Sequence, residues 1–208
     1  MRKSLLIVGG GSDMASYVRE RLSQRYDITA PSRSELDITS RSALEAFFET
    51  RSFDIVLNCA GTLYECEFLA SDPEQWVNDI SVNLIGTYLL ARAALLKNND
   101  ARLCLLSSTA AFNAYTNWSS YCVSKAGVVK LHATLHKSGF DVVTLCPGAI
   151  DTKFRHGTGV VNPNVMSIEE GCRPVLDAIE GGYQKGDIVF YRKNDVQLNP
   201  DFAVDKAE

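Results

Sequence analysis

The opening of the chain constrains its fold most. Lys3-Ser-Leu-Leu-Ile-Val-Gly-Gly-Gly reads as a short buried strand that breaks into a glycine-rich turn, and Met14-Ala-Ser-Tyr-Val-Arg-Glu-Arg-Leu follows with helical spacing. The same alternation continues, with strands expected near 4–9, 26–31, 54–58, 102–107, 141–146 and 187–191 and helices near 13–25, 41–50, 73–97, 119–137 and 168–181. Strands alternating with helices imply an α/β fold, a doubly wound parallel sheet flanked by helices on both faces. With 208 residues and 46% hydrophobic content, one domain over 1–208 has ample material for a core. There are no internal repeats. The loop 153–166 and the tail after Asn194, where polarity rises, are the candidates for low order.

Three patterns carry chemistry. The glycine turn lets backbone amides approach a pyrophosphate at the positive end of the following helix, although a plain tight βα turn has the same composition. Tyr121 and Lys125, one helical turn apart, share a face; a cation beside a phenol favours the phenolate and readies it for proton exchange, whereas the same spacing on a solvated face does nothing. Ser108 follows the apolar run Arg102-Leu-Cys-Leu-Leu-Ser-Ser, which suits the C-terminal end of a buried strand, where ligands bind in open sheets. Its neighbour Ser107 would face the other way.

Taken in order, these segments resemble the short-chain dehydrogenase/reductase family from about Ser4 to Thr152. Gly9-Gly-Gly-Ser-Asp-Met-Ala15 is similar to the family's Gly-x-x-x-Gly-x-Gly turn and Asn58-Cys-Ala-Gly61 to its Asn-Asn-Ala-Gly. Asn83 falls where its helix asparagine sits, Ser108, Tyr121 and Lys125 match its active site, and Pro147-Gly-Ala-Ile-Asp-Thr152 resembles its Pro-Gly-x-x-x-Thr segment. The resemblance implies a compact Rossmann fold and hydride transfer between a nicotinamide and a small carbonyl or alcohol substrate. It also implies the roles. Tyr121 exchanges the proton, Ser108 bonds the oxyanion, Lys125 binds the nicotinamide ribose and lowers the phenol's pKa, and Asn83 holds a water that relays protons. Gly9, Gly11, Ser12, Asp13, Met14, Asn58, Ala60 and Gly61, with Tyr121 and Lys125, would line the cofactor, and Pro147, Gly148, Ile150 and Thr152 would hold its nicotinamide end. Asp13 and Ala15 replace two of the family's glycines and Cys59 its second asparagine, which puts cofactor affinity in question.

The end of the second strand speaks to cofactor choice. An NAD enzyme places an acid there for the ribose hydroxyls; this chain offers Ser32 and Arg33, a hydroxyl and a planar cation suited to a 2′-phosphate. NADPH is therefore expected over NADH, with Glu35 as the competing reading, and Asp37 and Ile38 would border the adenine. The segment through Leu36-Asp-Ile-Thr39 is short, and locally resembles the deoxysugar-nucleotide reductases of the family's extended branch.

Other readings are bounded by composition. A net charge of −4 argues against nucleic acid as the main partner. No apolar run is expected to approach the ~20 residues of a membrane span, and a cytoplasmic location follows from the absence of a signal-peptide pattern. Cysteines 59, 66, 104, 122, 146 and 172 form no Cys-x-x-Cys pair and read as reduced structural thiols. His132 and His136 have a metal-compatible spacing without a third ligand, and read as a polar helix face rather than a metal site. Trp118, Tyr115, Phe112 and Phe154 are candidates for an aromatic pocket lining, and Lys153, Arg155 and His156 for anion attraction. Apolar surplus on helices 73–97 and 119–137 suggests a homodimer or homotetramer. The alternatives are a non-catalytic NADP-binding scaffold, or a nucleotide-sugar reductase or epimerase.

Overall fold

Successive residues of β1 (Ser4–Val8) leave the sheet on opposite faces, and both sets are buried. Leu5 and Ile7 pack under α1 (Asp13–Leu22) and α7 (Ile168–Glu180); Leu6 and Val8 pack under α2 (Arg41–Phe48), α4 (Thr87–Lys97) and α5 (Ser119–Lys137). The same division runs through β3 (Ile55–Asn58), β4 (Arg102–Leu106) and β5 (Val142–Pro147), so the apolar strands are sandwiched between two helical layers. This computed structural model describes residues 2–158 and 162–203.

Among the described residues the strands form one seven-stranded sheet in the order β2-β1-β3-β4-β5-β6-β7, with β2 (Asp27–Thr29) parallel to β1, β6 (Ile188–Arg192) parallel to β5 and β7 (Asp195–Leu198) antiparallel to β6. The chain moves outward from β1 to β2, then returns past β1 to β3, which sets a switch point between β1 and β3 at the C-terminal sheet edge. The doubly wound α/β reading therefore holds.

The tail corrects the sequence reading. Asp195–Leu198 forms β7, antiparallel to β6, after a turn in which Asn194 takes φ 62°. The loop 153–166 also carries structure: α6 (Lys153–His156) begins it, and Ile150 bridges Met166 near its end. Residues 159–161 of that loop and 204–208 of the tail lie outside the described residues.

The expected helix 73–97 is continuous but not uniform. It comprises α3 (Pro73–Ile80), a π-helical turn over Ser81–Gly86 and α4. Contrary to the expectation from the sequence, this 25-residue stretch is apolar and long enough to cross a membrane by length and composition; 44% of its apolar window is buried within the protein. His132 is corrected too. It is 2% exposed, its Nδ1 lies 2.9 Å from Thr144 Oγ1 and its Nε2 3.1 Å from the Gly186 carbonyl, so it ties α5 to β5 and to the approach to β6.

Candidate active site

At the switch point the strand ends part to leave a cavity of about 660 Å³. Its first wall is the glycine turn, in which three adjacent glycines have different tasks. Gly9 takes φ 75°, and a methyl group there would stand 2.7 Å from the Ala60 nitrogen. Gly10 is closed off by the Ala30 carbonyl and donates its N–H to Pro31 O at 3.1 Å. Around Gly11 nothing lies within 4 Å of a Cβ position, and this residue lines the cavity with Ser12, Asp13 and Met14. Two glycines thus pack the turn against the sheet, and the third leaves the N-terminus of α1 open to a ligand.

Ser12 caps α1, its hydroxyl accepting the Ala15 N–H at 3.2 Å. Asp13 begins the helix. Its carboxylate accepts the Lys153 N–H at 2.7 Å and lies 3.9 Å from the Lys153 ammonium, joining the glycine turn to the segment after β5. An acid here adds negative charge where a pyrophosphate would bind.

Asn58 fixes the second wall. Its Nδ2 donates to Thr87 Oγ1 at 2.9 Å and its Oδ1 accepts the Ala60 N–H at 3.1 Å, so the side chain holds the turn while Ala60 and Gly61 line the cavity. Pro147, Gly148, Ile150 and Thr152 form the opposite wall. Thr152 caps α6, accepting the Arg155 N–H at 3.3 Å.

Ser108, Tyr121 and Lys125 meet at the cavity floor. Ser108 starts a 3₁₀ turn over Thr109–Ala111 by accepting the Ala110 N–H at 3.1 Å, and it is hydrogen-bonded to Tyr121. Ser107 also borders the cavity, but its hydroxyl donates to the Lys125 carbonyl at 2.8 Å. Lys125 Nζ donates to Leu106 O at 2.9 Å and lies over the Tyr121 ring, 5.4 Å from its centroid. Burial raises the phenol well above its usual range; the Ser108 hydrogen bond opposes this and the charge of Asp79 adds to it. The expectation that Lys125 brings the phenol down is not met in this arrangement, because desolvation dominates and the ammonium faces the ring. Lys125 is itself pushed down to about 8 by burial, opposed by Asp79.

Asn83 sits in the π-helical turn and is 1% exposed. Its Nδ2 donates to Thr62 O at 2.9 Å and to Asp79 Oδ1 at 3.1 Å, and its Oδ1 accepts the Thr62 N–H at 2.9 Å. The side chain is largely committed. A Cβ on Gly61 would stand 3.2 Å from Asn83 Oδ1 and 3.8 Å from Lys125 Nζ, so glycine here lets the turn after β3 approach both side chains closely.

The adenine-end residues lie outside this cavity's lining. Ser32 donates its N–H and its hydroxyl to Glu35 Oε2, each at 2.7 Å, so the competing acid rests on the groups assigned to a 2′-phosphate. Arg33 is exposed. Asp37 accepts from the Thr39 N–H and hydroxyl at 2.9 and 2.7 Å, and Ile38 is 4% exposed, so its side chain is core and only its backbone is left for a ligand.

Tyr115, Trp118 and Phe154 line the cavity with Tyr121, their rings in a chain of centroid separations of 4.8, 6.0 and 6.1 Å. Phe112 does not join them; it packs against Phe190 and Phe202 at 5.9 and 5.1 Å. Lys153 and Arg155 border the cavity, whereas His156 turns to Asp151 at 2.7 Å. Sequence reasoning missed Leu63, Asn113 and Arg192 in the lining, and Asp79 beneath it. Only Asp79 left a signal, an acid four residues before Asn83 and so one helical turn away from it.

Comparison with known proteins finds oxidoreductases and dehydrogenases that are similar in sequence and in fold. The chain is 34% identical over 141 residues to the probable oxidoreductase EphD of Mycobacterium tuberculosis, covering 62% of this chain and 24% of that protein. It is 26% identical over 141 residues to 17-beta-hydroxysteroid dehydrogenase 13 of Rattus norvegicus, covering 63% and 47%. The chain thus spans about a quarter to a half of the length of these two relatives. An uncharacterized oxidoreductase of Staphylococcus aureus is 27% identical over 170 residues, covering 76% and 71%. Two solved structures share the fold. A small-chain dehydrogenase in complex with NADPH superimposes with TM-score 0.83 at 18% identity, covering 92% of this chain and 97% of its own. A short chain dehydrogenase from Burkholderia cenocepacia in complex with NADP gives 0.76 at 24% identity, covering 88% and 86%. A model of the short chain dehydrogenase family matches residues 13–159, more than half of the chain, which therefore belongs to that family.

Proposed function

We propose that the protein is an NADPH-dependent oxidoreductase that transfers a hydride between the nicotinamide and a carbonyl or alcohol, with Tyr121 as the proton-exchanging group. The observation that carries this reading is the convergence of Ser108, Tyr121 and Lys125 with an open helix N-terminus and the Pro147–Thr152 wall in one cavity. The residues fit a dinucleotide: Gly11 leaves the α1 amides accessible, and Arg33 with Ser32 offers a cation and a hydroxyl for a 2′-phosphate once Glu35 gives way. Both structural neighbours named above hold this form of the cofactor.

When bound, the nicotinamide supplies or accepts the hydride. Tyr121 gives its proton to the carbonyl oxygen, and Ser108 hydrogen-bonds that oxygen as charge develops. Lys125 holds a ribose hydroxyl, and Asn83 holds a water that returns a proton from solvent to the phenol. Leu63, Tyr115, Trp118 and Phe154 favour a carbonyl borne on an apolar body. The exposed apolar residues Val77, Ile85, Tyr88 and Leu96 of the long helix, with Val123 of α5, suit pairing of two copies. A non-catalytic cofactor-binding role is the second reading, favoured only by Asp13 in the turn.

The test is Tyr121→Phe against a panel of aromatic and aliphatic aldehydes and ketones. NADPH binding should persist while turnover falls by at least about 10²-fold. Undiminished turnover would remove Tyr121 from the mechanism.

A further inference from the structure

A second charged group lies beneath the site. Asp79, on α3, is 1% exposed, and a carboxylate buried to that degree is costly unless other groups satisfy it. Here three side chains do so. Asp79 Oδ1 accepts the Thr62 hydroxyl at 2.5 Å and the Asn83 amide at 3.1 Å, and Oδ2 accepts the Ser120 hydroxyl at 2.7 Å. Ser120 lies in the first turn of α5, whose positive end also favours an anion. The three donors come from separate parts of the chain: the turn after β3, the π-helical turn, and the helix that carries Tyr121 and Lys125.

We propose that Asp79 is a positioning residue of the active site, a buried counter-charge that keeps Lys125 an ammonium and fixes Asn83 and the first turn of α5 in register. The proposal rests on the reading of Lys125 as part of the site. Lys125 is 4% exposed, and its hydrogen bond to the Leu106 carbonyl brings no opposite charge. The groups facing it are the Tyr121 ring on its own helix, Cys59 after β3, Cys146 on β5 and Asp79 on α3. Burial raises both thiols, Cys146 to about 12, so they are neutral near pH 7, and of these four groups only Asp79 is a carboxyl group. Asp79 opposes the desolvation that drives Lys125 toward its neutral form, and its charge also acts on Tyr121. Through Ser120 it holds the residue next to Tyr121 in place.

The experiment needs neither cofactor nor substrate. In protein labelled with ¹³C at lysine Cε, the Lys125 resonance, assigned by its loss in Lys125→Met, is followed from pH 6 to pH 11. Its midpoint should lie near 8 in the wild type and fall by about one unit or more in Asp79→Asn, which keeps the shape and removes the charge. An unchanged midpoint, with only thermal stability reduced, would overturn the proposal and leave Asp79 a structural residue. If Asp79→Asn does not fold, coupling is read from the other partner, because it is reciprocal. The Asp79 carboxyl ¹³C should titrate at higher pH in Lys125→Met than in the wild type, and identical titrations would refute the pairing. Failure to bind NADPH would sink the proposed function and leave these titrations standing.

Discussion

Replacing Gly9 or Gly11 by alanine makes the same chemical change two residues apart, and the structure assigns the two opposite consequences. At Gly9 the backbone takes φ 75°, a region that costs an L-residue roughly 1–2 kcal/mol, and the new methyl would meet Ala60 N at 2.7 Å and Cys59 C at 2.9 Å, backbone atoms that must shift. The sum is a loss of about 2–3 kcal/mol, which for a chain of this length lowers Tm by roughly 4–12 °C. Because Ala60 and Gly61 line the cavity, cofactor binding should weaken as well. At Gly11 nothing lies within 4 Å, so Tm should stay within about 2 °C, while the methyl intrudes on the opening above α1 and weakens NADPH binding about tenfold or more. Scanning calorimetry and NADPH fluorescence titration on both variants read the two effects separately. A Gly9→Ala protein as stable as the wild type, or a Gly11→Ala protein that binds NADPH normally, would refute the division of labour among the glycines.

Asp13→Asn should strengthen NADPH binding two- to fivefold, the equivalent of about 0.5–1 kcal/mol for one charge at a helix N-terminus, and weaker binding in a titration would show that the tie to Lys153 matters more than the repulsion. His132 gives the fold an acid limit. Burial pushes it down to about 4 from 6.5, so between these values the unfolded chain holds a proton that the folded protein does not; stability present above pH 6.5 is lost as pH falls toward 4, up to about 3 kcal/mol from this group. Urea unfolding of His132→Gln should show a correspondingly shallower loss over that window, and the same slope in both proteins would contradict the assignment.

The parallel sheet and its helices were legible because buried strands and amphipathic helices leave strong local patterns, as in Leu5–Val8 and in the helix after Ser40. Strand β7 was not. Asp195-Val-Gln-Leu pairs on one side only and is mostly exposed, so it carries little hydrophobic signal. The π-helical turn is likewise silent, since its residues have helical composition and it differs from its neighbours by hydrogen-bond register. At the site, motif spacing placed Ser108, Tyr121, Lys125 and the Pro147–Thr152 wall around one cavity. It did not show that Glu35 would fold back on Ser32 or that Phe112 would pack away from the cavity, because both depend on side-chain placement across a turn. His132 was misjudged because a helix face looks polar or buried according to what crosses it, here Thr144 and the Gly186 carbonyl.

On the proposed function this cavity takes a nicotinamide dinucleotide and prefers the phosphorylated form. Its most direct test is a fluorescence titration with NADPH and NADH side by side on the wild type and on Arg33→Ala. NADPH should bind more tightly than NADH and lose at least about tenfold in the variant, while NADH changes little. Binding of neither cofactor would refute the proposed function, and tighter binding of NADH would assign the ribose to Glu35 instead.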